Sequence, residues 1–148
     1  MTKPLPWQRP FFQTAVAQGS VKESVFAFKL AAQNSELYLG GTNPNVPHGP
    51  FEYHNLSEVG FWQLGGASVE LDSGVVAAEL ETIIDSGTTF IYGTSGQVRD
   101  FYNKIPGSLV YGDGNGFYSY PCNSNPVLSF NWGGESWEVS QEKWVCYY

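Results

Sequence analysis

Ile83-Ile84-Asp85-Ser86-Gly87-Thr88-Thr89 decides the reading of this chain, because it places one acid where an apolar strand must turn. Two β-branched apolar residues predict a strand running into the interior and ending at Asp85. Gly87 allows close backbone approach. Ser86, Thr88 and Thr89 supply hydroxyls that can hydrogen-bond a carboxylate and hold its orientation. A carboxylate so placed is costly to bury unless it is hydrogen-bonded or shares a proton with a partner. The pattern is half of a carboxylate pair, and the seven-residue stretch occurs once in the chain.

A second Asp-Ser-Gly, Asp72-Ser73-Gly74, serves as an internal control. It follows the alternating Ser68-Val69-Glu70-Leu71 and precedes Val75-Val76, so it predicts a hairpin turn with Gly74 in the left-handed position. It lacks the paired isoleucines and paired threonines. The tripeptide alone therefore carries little information; its surroundings carry the chemistry.

Outward from Asp85 the chain reads as mainly β. Strands are predicted at 25–30, 35–39, 51–54, 61–64, 68–71, 79–84, 127–132 and 136–139, and Gly133-Gly134 between the last two signals a two-residue hairpin. Val98, Phe101, Tyr102 and Ile105 form one apolar helix face. Thr94 with Gln97 has the capping-box form, and Pro106-Gly107 stops the helix. This short helix follows the Asp85 turn closely and is expected to pack beneath it. No internal repeat or linker divides the chain, so 1–148 is taken as one partial domain.

Composition supports a folded chain: 42% of residues are hydrophobic and only 14% charged, unlike a disordered segment. A formal charge of −7 with seven scattered basic residues argues against nucleic-acid binding. No apolar run approaches the roughly 20 residues of a membrane span, and residues 1–10 do not form a signal peptide, so no membrane role is expected. The acidic, charge-poor surface suits an acidic secretory milieu. Localisation stays open.

Other constellations are weaker. His48 and His54 are the only histidines, too few for a zinc site even with Glu52 added, so no metal or cofactor is expected. No Gly-x-Ser-x-Gly elbow is present. Gly112-Asp113-Gly114-Asn115-Gly116 lacks the glutamate that would complete a calcium loop. Trp62, Trp132, Trp137 and Trp144 fit strand packing better than a sugar site. Cys122, without a nearby base, reads as structural or inert, and Cys122 and Cys146 permit one disulfide. Asn55-Leu56-Ser57 is a glycosylation sequon.

Taken together, these residues resemble the pepsin-like aspartic endopeptidases, in particular the polyporopepsin-type enzymes of fungi. The resemblance runs over about 11–139. Phe11-Phe12 with Ala15 and Gly19-Ser20-Val21 resemble the family's entry into the sheet between its lobes. Phe26, Phe28 and Leu37-Tyr38-Leu39-Gly40-Gly41 resemble the next hairpin. Phe61-Trp62-Gln63 resembles the strand before the second catalytic loop, and Ile84-Asp85-Ser86-Gly87-Thr88-Thr89 that loop itself. The Gly93-Thr94 step and Pro121-Cys122 also agree. The implied fold is the C-terminal lobe, an incomplete closed barrel with one short helix after the catalytic loop. The implied catalytic residue is Asp85, supported by Ser86, Gly87 and Thr88. The parent family is secreted or vacuolar.

The resemblance also implies what this stretch lacks: a first lobe with its own aspartate and flap, and the strand that crosses beneath the second catalytic loop. Lys143-Trp144-Val145-Cys146-Tyr147-Tyr148 looks foreign to the pattern, with 140–148 an atypical tail, as expected of a truncated or mis-spliced product, and Cys146 is a poor stand-in for the family's disulfide partner of Cys122. Three functions follow. The first is an endopeptidase lobe, inactive as a monomer, that acts on peptides only when a second aspartate is supplied. The second is a homodimer with Asp85 from each copy. The third is a non-catalytic binding protein whose uncovered strand edges and apolar patches favour self-association.

Overall fold

In a computed structural model the described residues are 9–46, 49, 51–112, 116–140 and the backbone of 146–147. They fall into two compact units, 1–51 and 52–148. The first holds helix α1 (Phe11–Ala17) and the antiparallel pair β1 (Phe26–Lys29) and β2 (Glu36–Leu39). Phe12, Phe26 and Phe28 meet edge to face, with centroids 5.0 and 5.7 Å apart. Gly40 and Gly41 both donate to the Val25 carbonyl, closing the far end of the hairpin.

The second unit is built on the long hairpin β3 (Gln63–Leu71) and β4 (Gly74–Ile83). A four-stranded antiparallel sheet runs in the order β4-β3-β7-β8, with β7 (Leu128–Asn131) and β8 (Ser136–Val139). Beside it in the chain, β5 (Leu109–Val110) pairs antiparallel with β6 (Tyr118–Pro121), and β6 pairs in parallel with β9 (Cys146–Tyr147). The described residues are mainly β and close no barrel, the partial pepsin-like lobe expected.

Several local expectations are corrected. The predicted strands at 61–64 and 68–71 are one strand, interrupted by register shifts between Leu64 and Glu70 that let the hairpin bend without breaking. Residues 51–54 form no strand, because Glu52 is drawn instead to the β7–β8 loop. At the β3–β4 turn, Asp72 (φ 50°) and Ser73 (φ 66°) occupy the left-handed positions, not Gly74. Both central residues of a two-residue turn then have positive φ, the geometry that matches strand twist. The Asp72 carboxylate accepts the Val127 N–H at 2.9 Å, a long-range bond that holds this turn. The β7–β8 connection spans residues 132–135 rather than two, since Asn131 pairs with Ser136. Asn131 closes that loop with both side-chain atoms, accepting from Gly133 N–H at 2.6 Å and donating to the Gly134 carbonyl at 3.1 Å.

Helix α2 (Ser95–Tyr102) opens on the anticipated capping box of Thr94 and Gln97. It ends three residues before Ile105, which nonetheless reaches the core. Ile105, Leu71 and Tyr120 are the buried cluster, with Val76, Phe101 and Tyr102 packed on it and Tyr102 stacked on Tyr118 at 4.8 Å. The helix therefore packs at the turn end of the β3–β4 hairpin. Seven residue steps along the strand, about 23 Å at 3.3 Å per step, separate Val76 from Ile83 at the Asp85 end.

Candidate active site

Asp85 follows the end of β4, where Ile84 N–H still bonds the Trp62 carbonyl at 2.9 Å. One oxygen of its carboxylate accepts the Gly87 N–H at 2.8 Å, and the other accepts the Thr88 hydroxyl. Two short-range donors thus fix both oxygens. A Cβ at residue 87 would stand 3.3 Å from Asp85 Oδ1, so a glycine there permits the close approach. Ser86 and Thr89 donate nothing to Asp85 among the described residues. The Thr88 hydroxyl first, and the Gly87 N–H second, hold the carboxyl below its usual range. Both favour the charged form, and no neighbouring carboxylate among the described residues opposes them.

The surroundings overturn the expectation of an interior strand end. Ile83 and Ile84 are each about half exposed, at 50% and 49%, and Asp85 is only partly buried. Beyond it Phe90, Ile91 and Tyr92 are also exposed, with Phe90 edge-on to Phe117 at 5.6 Å. In these described residues the core lies at the other end of the hairpin, so nothing comparable packs over the isoleucines.

Glu52 and His54 form a pair of a different kind from a metal site. His54 Nε2 lies 2.6 Å from Glu52 Oε1, while Glu52 Oε2 accepts the Glu135 N–H at 3.1 Å and the Trp137 indole N–H at 3.2 Å. The Glu135 N–H is the largest cause holding the Glu52 carboxyl low. A Cβ on Gly134 would fall 2.5 Å from Glu52 Oε1, so the glycine makes the space this carboxylate fills. The cluster staples residues 52–54 to the β7–β8 loop. Sequence reasoning missed it because its partners lie more than 80 positions away. His48 and residues 113–115 lie outside the described residues, and among those described no group of three metal-ligating side chains converges.

Cys122 is disulfide-bonded, and no cysteine is free among the described residues. The chain's other cysteine, Cys146, sits on β9, whose backbone pairs with Tyr120. Of the tail that looks foreign in sequence, Cys146 and Tyr147 pair with β6.

The family model described as eukaryotic aspartyl protease matches residues 3–148, past both ends of the stretch on which the sequence resemblance rests. The chain is 39% identical over 136 residues to an aspartic protease of Phaffia rhodozyma, covering 87% of this chain and 33% of that protein. It is 29% identical over 147 residues to cathepsin D of Rattus norvegicus, covering 92% and 35%. With pepsin A-5 of Mus musculus it shares 28% over 142 residues, 92% and 36% of the two chains. The chain spans about a third of the length of these relatives. A match running almost end to end, with the pinned Asp85 at the strand-end turn inside it, makes this chain a member of the eukaryotic aspartyl protease family.

Proposed function

We propose that Asp85 is one half of the water-activating pair of an aspartic-type endopeptidase. The observation that carries this is its partly buried carboxylate, pinned through both oxygens by Gly87 and Thr88 with no second carboxylate beside it among the described residues. Peptide hydrolysis by this route needs two such groups. One, ionised, takes a proton from water as it attacks the peptide carbonyl; the other, protonated, donates to the carbonyl oxygen. Like charges at contact distance cannot both ionise, so the pair shares one proton and titrates as a unit, for which pepsin-like enzymes are the standing example. Asp85, held low by its donors, suits the shared, ionised arrangement once a second carboxylate faces it. A polypeptide of these 148 residues, as a monomer, is inactive.

A second reading, a homodimer pairing Asp85 with its copy, is favoured by the exposed Ile83 and Ile84 flanking the acid, which association would cover. The test is turnover of denatured haemoglobin in dilute acid, about pH 3, with and without pepstatin, beside a sedimentation measurement of size. No turnover by the monomer is expected. Pepstatin-sensitive turnover that rises with dimer and is lost in Asp85→Asn selects the second reading. Absence of turnover in every assembly, including one supplied with an aspartate-bearing N-terminal lobe from a relative, leaves a non-catalytic binding protein and rejects the proposal.

A further inference from the structure

The staple between residues 52–54 and the β7–β8 loop is made by titratable groups, and its two sides are unequally secured. Glu52 Oε2 accepts the Glu135 N–H and the Trp137 indole N–H, at 3.1 and 3.2 Å. The other oxygen, Oε1, is sealed from solvent and makes no well-aligned hydrogen bond, although His54 Nε2 stands 2.6 Å away. Attraction at that end is therefore that of an imidazolium for a carboxylate, and it needs Glu52 ionised. Both N–H donors likewise bind a charged oxygen better than a neutral one. One proton on Glu52 weakens every one of these contacts together.

Residues 51–56 belong to no strand, so no ladder backs these bonds. The chain is fastened again at Ser57, whose N–H bonds the Gln63 carbonyl at 2.9 Å. The facing loop is held by groups of another kind. Asn131 bonds Gly133 and Gly134, and Trp132 Nε1 donates to Thr82 Oγ1 at 2.9 Å, 50 positions away. Amide, indole and hydroxyl groups neither gain nor lose a proton in acid. The other carboxylates of this stretch stand apart from the staple. Glu135, which lends its backbone N–H, is exposed; Glu138 is exposed too, and alternation along β8 puts it on the face opposite Trp137. The His54 ring lies 6.4 Å from that of Trp132.

We propose that this staple is an acid-released latch: a proton on Glu52 frees residues 52–54 from the β7–β8 loop, while the loop and the sheet behind it stay folded. The Glu135 N–H first, then the Trp137 indole and His54, hold the Glu52 carboxyl low against the opposing effect of desolvation. The latch is therefore fully closed above the ordinary carboxyl value of about 4 and opens as pH falls through the lower folded value. Glu52 is where the chain enters the second unit, so acid loosens that entry and leaves the Glu135 and Trp137 N–H groups to solvent. The inference does not depend on the role of Asp85.

An NMR titration of the full chain from about pH 7 to about pH 2, with labelled indole nitrogens and glutamate carboxyl carbons, decides it. The Trp137 indole N–H should lose its bonded shift in step with the Glu52 carboxyl, and the Glu135 amide its protection from exchange. The Trp132 indole N–H should stay bonded and slow to exchange through that step. Glu52→Ala should show the released Trp137 resonance at every pH with Trp132 still bonded. His54→Ala, which keeps the carboxylate, should move the release to higher pH because a partner of the charged form is gone. Trp137 and Trp132 changing together would mean unfolding and overturn the latch. A Trp137 resonance that holds its place while Glu52 titrates would overturn it as well, and release at an unchanged pH in His54→Ala overturns the part given to His54.

Discussion

Three isoleucines in different surroundings test where the core of the second unit lies. Ile105 is 3% exposed, Ile84 49% and Ile91 64%. The change Ile→Ala removes three carbons at each. At about 0.8 kcal/mol per buried methylene, the transfer loss at Ile105 is about 2.4 kcal/mol, and the cavity left among Leu71, Tyr120 and Phe101 brings it to roughly 3 kcal/mol. At Ile84 about half that area is already in water and no enclosed cavity forms, so roughly 1 kcal/mol is expected. Ile91→Ala should stay within about 0.5 kcal/mol. Urea unfolding followed by tryptophan fluorescence measures this. With a slope near 1.5–2 kcal/mol per molar, Ile105→Ala lowers the midpoint by about 1.5–2 M, Ile84→Ala by about 0.5 M. Ile105→Val, at about 1 kcal/mol, gives the ranking in a variant that retains more stability. An Ile84→Ala loss equal to that at Ile105, independent of protein concentration, would refute the placement of the core. A loss that grows with protein concentration would instead report that a second copy covers Ile84.

Removing the Thr88 hydroxyl with Thr88→Val should raise the Asp85 carboxyl toward its ordinary value while the Gly87 bond remains, read by carbon NMR of the side-chain carboxyl in acid. The sign of the stability effect follows. Asp85, Glu52 and Glu81 all have lowered folded values, so the unfolded chain binds more protons in the window below their ordinary values of about 4. Their contribution is present above that value and lost as pH falls through each folded value, so acid unfolding of Thr88→Val should begin at higher pH than in wild type. Gly134→Ala drives its Cβ into the Glu52 carboxylate and should cost about 1–3 kcal/mol, with the Trp137 indole N–H losing its bonded NMR shift; an unshifted indole resonance would contradict the staple. Trp132→Phe should lose the 2.9 Å bond to Thr82 Oγ1, about 1 kcal/mol, and a thermal melt unchanged from wild type would argue against that bond.

What the sequence determined is local. Two β-branched residues, an acid, a glycine and a threonine within six positions specify a carboxylate with its own donors, because every bond involved spans three positions or fewer. The capping box at Thr94 was legible for the same reason. Alternation likewise marked the strands of the main sheet, although not their joining across the Gly65-Gly66 irregularity. Only the tertiary structure decided where Glu52, Asp72 and Glu81 are anchored, since they find partners 18 to 85 positions away. It also decided that Ile83 and Ile84 remain half in water while Ile105, beyond the end of its helix, is buried. Side-chain type states a preference for the interior; which residues obtain it depends on what distant elements pack against them.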